Sequence, residues 1–214
     1  LATLADGEAD GSNWHMQPDI AGPSLIMGDI ATHSYHLAEY VTGLEPSEIS
    51  ADITAVVPGR TADDYCGILS RYENGARGSF FVTQAAAGAV HGLRIRVFGS
   101  EGSLEWFQET PDELWYRQID KPAQLLIRGG PGLSEAANRS THVAMGHPEG
   151  YIEAFANLYQ DLADVITARE LGEEPNPLAA DFPNIIDGLR GVAFVEASVK
   201  SSQDNAIWQA MPPR

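Results

Sequence analysis

The feature that most restricts the fold of this chain is a run of short segments between residues 47 and 128. In each, apolar and polar residues alternate, and turn-forming residues close it. A period of two puts every second side chain on one face of a strand, and turns repeated at this spacing specify antiparallel neighbours. Strands are expected at 47–57, 65–72, 76–84, 92–98, 103–108, 114–118 and 124–128. Glu73-Asn74-Gly75 carries the Asn-Gly pair of a type I′ hairpin turn, in which both central residues take positive φ. Gly99-Ser100-Glu101-Gly102 predicts a second tight turn.

Helical periods frame these strands. Ile30, His33, His36 or Leu37, and Tyr40 predict a helix over 28–41, stopped by Thr42-Gly43. Ile152, Phe155, Leu158 or Tyr159, Leu162 and Ile166 predict a second over 149–168, with Pro148 near its start, and a third is expected over 184–201. The stretch 129–146 reads as a long loop, and residues 1–27, rich in Gly, Asp, Ser and Pro around Trp14, as a linker entering the domain. The order predicts one α+β domain over 28–214, a large, mainly antiparallel, open-faced sheet with helices on one face. Its uncovered face is a natural surface for a homo-dimer or tetramer.

Thirteen basic residues against 30 acidic ones leave a net charge of -17, which repels a phosphate backbone and offers no polybasic patch to a membrane. Neither nucleic acid nor a membrane is therefore an expected partner. Cys66 has no second cysteine to pair with and falls in a strand, where it is expected as a small buried hydrophobe. A cytoplasmic location is the expectation. The chain starts at Leu1 and is expected to begin partway through a gene product.

Candidate chemistry lies in Gly28-Asp29-Ile30-Ala31-Thr32-His33-Ser34-Tyr35-His36, where Asp29 and His33 are four apart and share a helix face. An imidazole can take a proton from an alcohol near neutral pH, and a carboxylate beside it can hold the hydroxyl. The alternative is structural, with Asp29 as the helix N-cap and His33 as a satisfied, partly buried histidine. No metal is expected, because His33 and His36 stand apart from any further ligand cluster. No Gly-x-Gly-x-x-Gly follows a strand, since Gly129-Gly130-Pro131-Gly132 lacks the third glycine, so this chain alone is not expected to bind a dinucleotide tightly.

The Gly-Asp-x-x-x-His helix start, the Arg71-Tyr72-Glu73-Asn74-Gly75-Ala76 hairpin, Phe98-Gly99-Ser100-Glu101-Gly102-Ser103-Leu104-Glu105, His147-Pro148-Glu149-Gly150-Tyr151 and Asp187-Gly188-Leu189-Arg190 follow one another in a fixed order. Together they resemble the C-terminal domain of the Gfo/Idh/MocA oxidoreductases over nearly the whole chain. The resemblance implies a two-domain enzyme that uses NAD or NADP, its N-terminal Rossmann domain holding the cofactor. This domain would then bind a sugar, a sugar derivative or a cyclitol. It further implies that His33 is the catalytic acid/base and that Asp29 positions the reacting hydroxyl, while the family's catalytic lysine belongs to the Rossmann half. His147, Tyr151, His142 and His36 become candidate substrate contacts, His36 standing where relatives often carry Asp or Asn. The fragment alone is expected to be inactive and to carry no cofactor.

Two further readings remain open. One is a non-catalytic self-association module derived from the same domain. The other is a carbohydrate-binding protein that uses Trp14, Trp106 and Trp115 as stacking platforms.

Overall fold

The computed structural model describes residues 17–212, so Trp14 lies outside the described residues. Contacts cluster into two compact units, the chain through Val90 with Ile185 onward, and His91–Asn184. No helix among the described residues is long and apolar enough to cross a membrane.

The first unit opens with α1 (Pro18–Ala21) and a continuous helical run over 25–42. Most of that run is a π-helical turn (Met27–Ala31) followed by α2 (Thr32–Thr42). Gly43, at φ 66°, closes α2 in the left-handed conformation, as the Thr-Gly stop predicts. Then come β1 (Glu48–Thr54), β2 (Tyr65–Arg71) and β3 (Arg77–Thr83). After the second unit, α5 (Ile185–Gln203) and a two-residue strand, Gln209–Ala210, complete the first. The sheet is antiparallel, with that last strand on the outer edge of β1.

Alternation fixes which side of this sheet is buried. Ile49, Ala51, Cys66, Ile68 and Val82 point inward and pack with Ile26, Met27, Tyr35 and Phe194. Tyr35 stacks on Phe194 with ring centroids 4.5 Å apart, and Phe80 meets Phe194 edge-on at 5.5 Å. Cys66 is the buried hydrophobe its strand position predicts, and burial pushes its thiol up to about 12. Among the described residues, the outer edge of β1 has no strand neighbour beyond Ile49. Serines at the end of α5 take its place: the Ala51 N–H donates to Ser201 Oγ and the Ile53 N–H to Ser202 Oγ, both at 2.9 Å. On the opposite face Leu69 and Phe81 remain 55% and 69% exposed.

The second unit holds β4 (Arg94–Phe98), β5 (Gly102–Phe107), β6 (Glu113–Gln118) and β7 (Gln124–Ile127) in an antiparallel meander. It also holds α3 (Glu135–Arg139) and α4 (Tyr151–Leu171). Ile95, Val97, Leu104, Trp106, Leu114 and Tyr116 form one face of the meander. Arg94, Arg96, Glu105, Phe107, Trp115 and Arg117 form the other. On that second face Arg94 lies over Phe107 and Arg117 over Trp115, 5.3 and 5.1 Å from the ring centroids, and Arg117 pairs with Glu105 at 3.1 Å. The apolar stripe of α4, from Ile152 through Phe155, Leu158 and Leu162 to Ile166, is largely exposed.

The α+β class, the seven strands and the antiparallel pairing agree with the sequence expectation. Among the described residues the strands fall into two four-stranded sheets, the first completed by the two-residue strand on β1. The loop after β7 contains α3, whose cap is the Ser134 hydroxyl accepting from the Ala137 N–H at 3.2 Å. The 73–75 hairpin is present, but its turn is not type I′. Gly75 has φ 88° while Asn74 does not take positive φ. The Gly75 N–H donates to the Tyr72 carbonyl at 3.0 Å and the Tyr72 N–H to the Ala76 carbonyl at 3.2 Å, which makes a three-residue loop. Asn74 instead turns its side chain back, and its Oδ1 accepts from the Ala76 N–H.

Candidate functional site

The helical run that carries Asp29 and His33 starts at residues whose side chains satisfy its first backbone donors. Ser24 Oγ accepts from the Met27 N–H at 3.3 Å, and Asp63 Oδ1 accepts from the Leu25 N–H at 2.7 Å. The Ser24 hydroxyl donates in turn to Asp63. These residues do the capping, so the N-cap assignment for Asp29 does not hold. Asp29 sits instead inside the π-helical turn, a widened turn that inserts one extra residue and is found disproportionately where a side chain serves a function.

Asp29 and His33 are both exposed, on one continuous helical run and four residues apart. The Asp29 carboxylate accepts a hydrogen bond from Gln84 Nε2 at 3.4 Å. His36, half-buried, has its ring 6.4 Å from that of Tyr40. The same helix buries Tyr35 on its opposite side, which anchors it to α5.

Within the second unit, the segment that carries His142, His147 and Tyr151 is organised by Arg128 and Glu149. The Arg128 guanidinium pairs with Glu149 and, at 2.5 Å, with Asp112. It also donates to the carbonyls of Val143 and His147, at 3.0 and 2.7 Å. Glu149 is buried and accepts from the N–H groups of His142 and Val143, at 2.8 and 3.2 Å. Donation to Asp112, and then the charges of Asp112 and Glu149, hold the Arg128 guanidinium proton more firmly than usual. His142 Nε2 lies 2.5 Å from Asn157 Oδ1, and His147 Nδ1 lies 3.2 Å from the Ala144 carbonyl. Tyr151 opens α4, is 74% exposed, and tilts toward Phe155 at 5.1 Å.

The structure therefore puts Asp29, His33 and His36 on one helix of the first unit, and His142, His147 and Tyr151 on one segment of the second. Sequence reasoning did not find Gln84, which is 55 positions from Asp29 and is brought to it only by the end of β3. It also missed Arg128 and Glu149, although Glu149 stands in the His-Pro-Glu-Gly-Tyr signature. Among the described residues no group of three or more His, Cys, Asp or Glu side chains is placed to hold a metal ion. The Gly129–Gly132 stretch leads from β7 toward α3, a helix of five residues.

A family model described as the GFO/IDH/MocA C-terminal domain matches residues 2–105. An uncharacterized oxidoreductase of Bacillus subtilis, YfiI, is 34% identical over 91% of this chain and 50% of its own length. Levoglucosan dehydrogenase of Pseudarthrobacter phenanthrenivorans is 26% identical over 98% of this chain and 58% of its own. Among solved structures, an inositol dehydrogenase homolog from Azotobacter vinelandii in complex with NAD+ is 34% identical. It superposes with a TM-score of 0.88 over 97% of this chain and 54% of that one. The chain thus spans about half the length of the curated relatives it matches.

Proposed function

The chain belongs to the Gfo/Idh/MocA oxidoreductases as their C-terminal domain, and on that premise we propose that it is the substrate-binding and catalytic half of an NAD- or NADP-dependent dehydrogenase. Its substrate is a hydroxyl of a sugar, sugar derivative or cyclitol. The observation that carries this reading is the state of Asp29. Its capping task is taken over by Ser24 and Asp63, and it stays exposed beside His33 on a π-helical turn. The substrate class is supported by relatives solved with NADH and myo-inositol, levoglucosan or L-sorbose.

The division of labour follows from the side chains. Asp29 positions the reacting hydroxyl by accepting a hydrogen bond from the substrate hydroxyl beside it, and His33 takes the proton of the reacting hydroxyl as the alcohol carbon gives up its hydride. A nicotinamide held by the N-terminal Rossmann half supplies the hydride acceptor. His142, His147, Tyr151 and His36 are assigned to the remaining substrate hydroxyls. The half described here is inactive alone. The exposed sheet faces, with Leu69 and Phe81 on one of them, serve self-association into a dimer or tetramer in the cytoplasm.

The test is to join the chain to its N-terminal half and follow NAD+ and NADP+ reduction with myo-inositol, levoglucosan, L-sorbose and a panel of hexoses. Turnover of at least one, on the order of 1 to 1,000 per second, is expected. No reduction with any member and either cofactor would count against the reading.

A further inference from the structure

We propose that Gln84 is the positioning residue of Asp29: its side-chain amide holds one carboxylate oxygen and leaves the other free to accept the substrate hydroxyl. This inference rests on the functional reading above. Gln84 Nε2 lies 3.4 Å from Asp29 Oδ2, and both residues belong to the first unit.

What holds Gln84 is a rigid anchor at the start of β2. The Gln84 N–H donates to the Asp64 carbonyl at 2.8 Å, and the Thr83 hydroxyl donates to the same carbonyl at 2.9 Å. The Asp64 side chain is fully buried and ties down the β1–β2 connection. It accepts from the Val56 N–H at 2.8 Å and from Arg60 Nη1 at 3.0 Å. The backbone that presents Gln84 is thus fixed on both sides.

The other end of the amide is the second observation. Gln84 Oε1 is buried and has no hydrogen-bond partner among the described residues. Buried amide oxygens are nearly always paired, and a glutamine kept only for structure would turn this atom to a donor. Here the amide leaves its acceptor unpaired, and its orientation is set by what the nitrogen faces. Asp29 determines that orientation, because reversing the amide would bring oxygen against a carboxylate. The neutral donor has a further use. A lysine or arginine in its place would compete for both carboxylate oxygens, whereas one amide N–H engages a single oxygen.

Two readouts test this. In the present chain, the side-chain amide resonance of Gln84 is followed in wild type and in Asp29→Asn. A displaced resonance is expected, and an unchanged one overturns the proposal. In the enzyme joined to its N-terminal half, Gln84→Leu is expected to lose roughly 10- to 100-fold in kcat/KM, the scale of a misplaced reacting group. The isosteric Gln84→Glu sets two carboxylates together, which share a proton. Relative to wild type, its kcat/KM is therefore expected to rise as pH falls, a change of pH profile that a purely structural role would not cause. If Asp29→Asn abolishes activity while both Gln84 variants keep wild-type rates and pH profile, Gln84 has no positioning role. If Asp29→Asn itself retains full activity, the functional reading fails and this proposal falls with it.

Discussion

Arg190 of α5 reaches Glu45, in the turn after α2, with a nitrogen–oxygen distance of 2.7 Å, and both side chains are largely removed from water. The same guanidinium donates to the Pro212 carbonyl, so one residue ties α5 to the end of α2 and to the segment beyond the last strand. The Asp-Gly-Leu-Arg signature is therefore architectural at its arginine. Removing one member of a buried pair leaves the other charge without compensation. Arg190→Met is expected to lower stability by about 3 to 5 kcal/mol, read from urea unfolding of this chain.

The carboxyl of Glu39 lies in the same cluster. Burial first, and then the neighbouring Glu45 carboxylate, raises it above the ordinary carboxylate range, while the Tyr35 hydroxyl opposes the shift and Asp187 adds to it. Burial also raises the Tyr35 hydroxyl, against the opposing charge of Arg190. A carboxyl raised in the folded state binds its proton more tightly there than in the unfolded chain. Its contribution is complete below the unfolded value and is lost as pH rises through the folded one. Glu39→Gln is expected to gain stability over wild type as pH rises from about 4 to 8, with no gain at the acid end. Melting temperatures of both proteins across that range check it, and parallel curves would contradict it.

Glu149 holds the segment that carries His142 and His147 through two backbone N–H groups and Arg128. Glu149→Ala removes one of the two carboxylates that pair with Arg128 among the described residues and frees two amides. The expected outcome is a loss of about 3 kcal/mol together with new protease cleavage between residues 140 and 148. Limited proteolysis followed by mass spectrometry reads the second effect. A cleavage pattern identical to wild type would show that the segment is held by other contacts.

Gly102 pairs with Gln118, and a Cβ there would overlap the Arg117 carbonyl. Backbone of a paired strand cannot yield as a flexible side chain can. Gly102→Ala is therefore expected to cost about 1 to 3 kcal/mol, visible as a lowered melting temperature.

The strands could be read from the sequence because their signal is local: alternation and turn residues act over five to ten positions, and β1 to β7 fall where that pattern puts them. What escaped depends on non-local or very short features. The Gln209–Ala210 strand has two residues and forms only because β1 offers an edge. Helix α3 has five residues inside a glycine-rich loop and is specified by one capping serine. An i to i+4 spacing fits a π-helical turn as well as an α-helical one, so the periodicity around Asp29 could not distinguish them. Which strand pairs with which is set between segments, and alternation within one segment does not encode it. At the candidate site, Asp29 and His33 were visible as a helical pair. Gln84, Arg128 and Glu149 act through contacts made across the fold.

The most direct test of the account is the rate of nicotinamide reduction by the enzyme joined to its N-terminal half, wild type against His33→Asn, with the polyol that the substrate panel identifies. A general acid/base contributes roughly 100- to 10,000-fold, so the account predicts a loss of that size in kcat with the fold intact. A His33→Asn enzyme that turns over at the wild-type rate would contradict it.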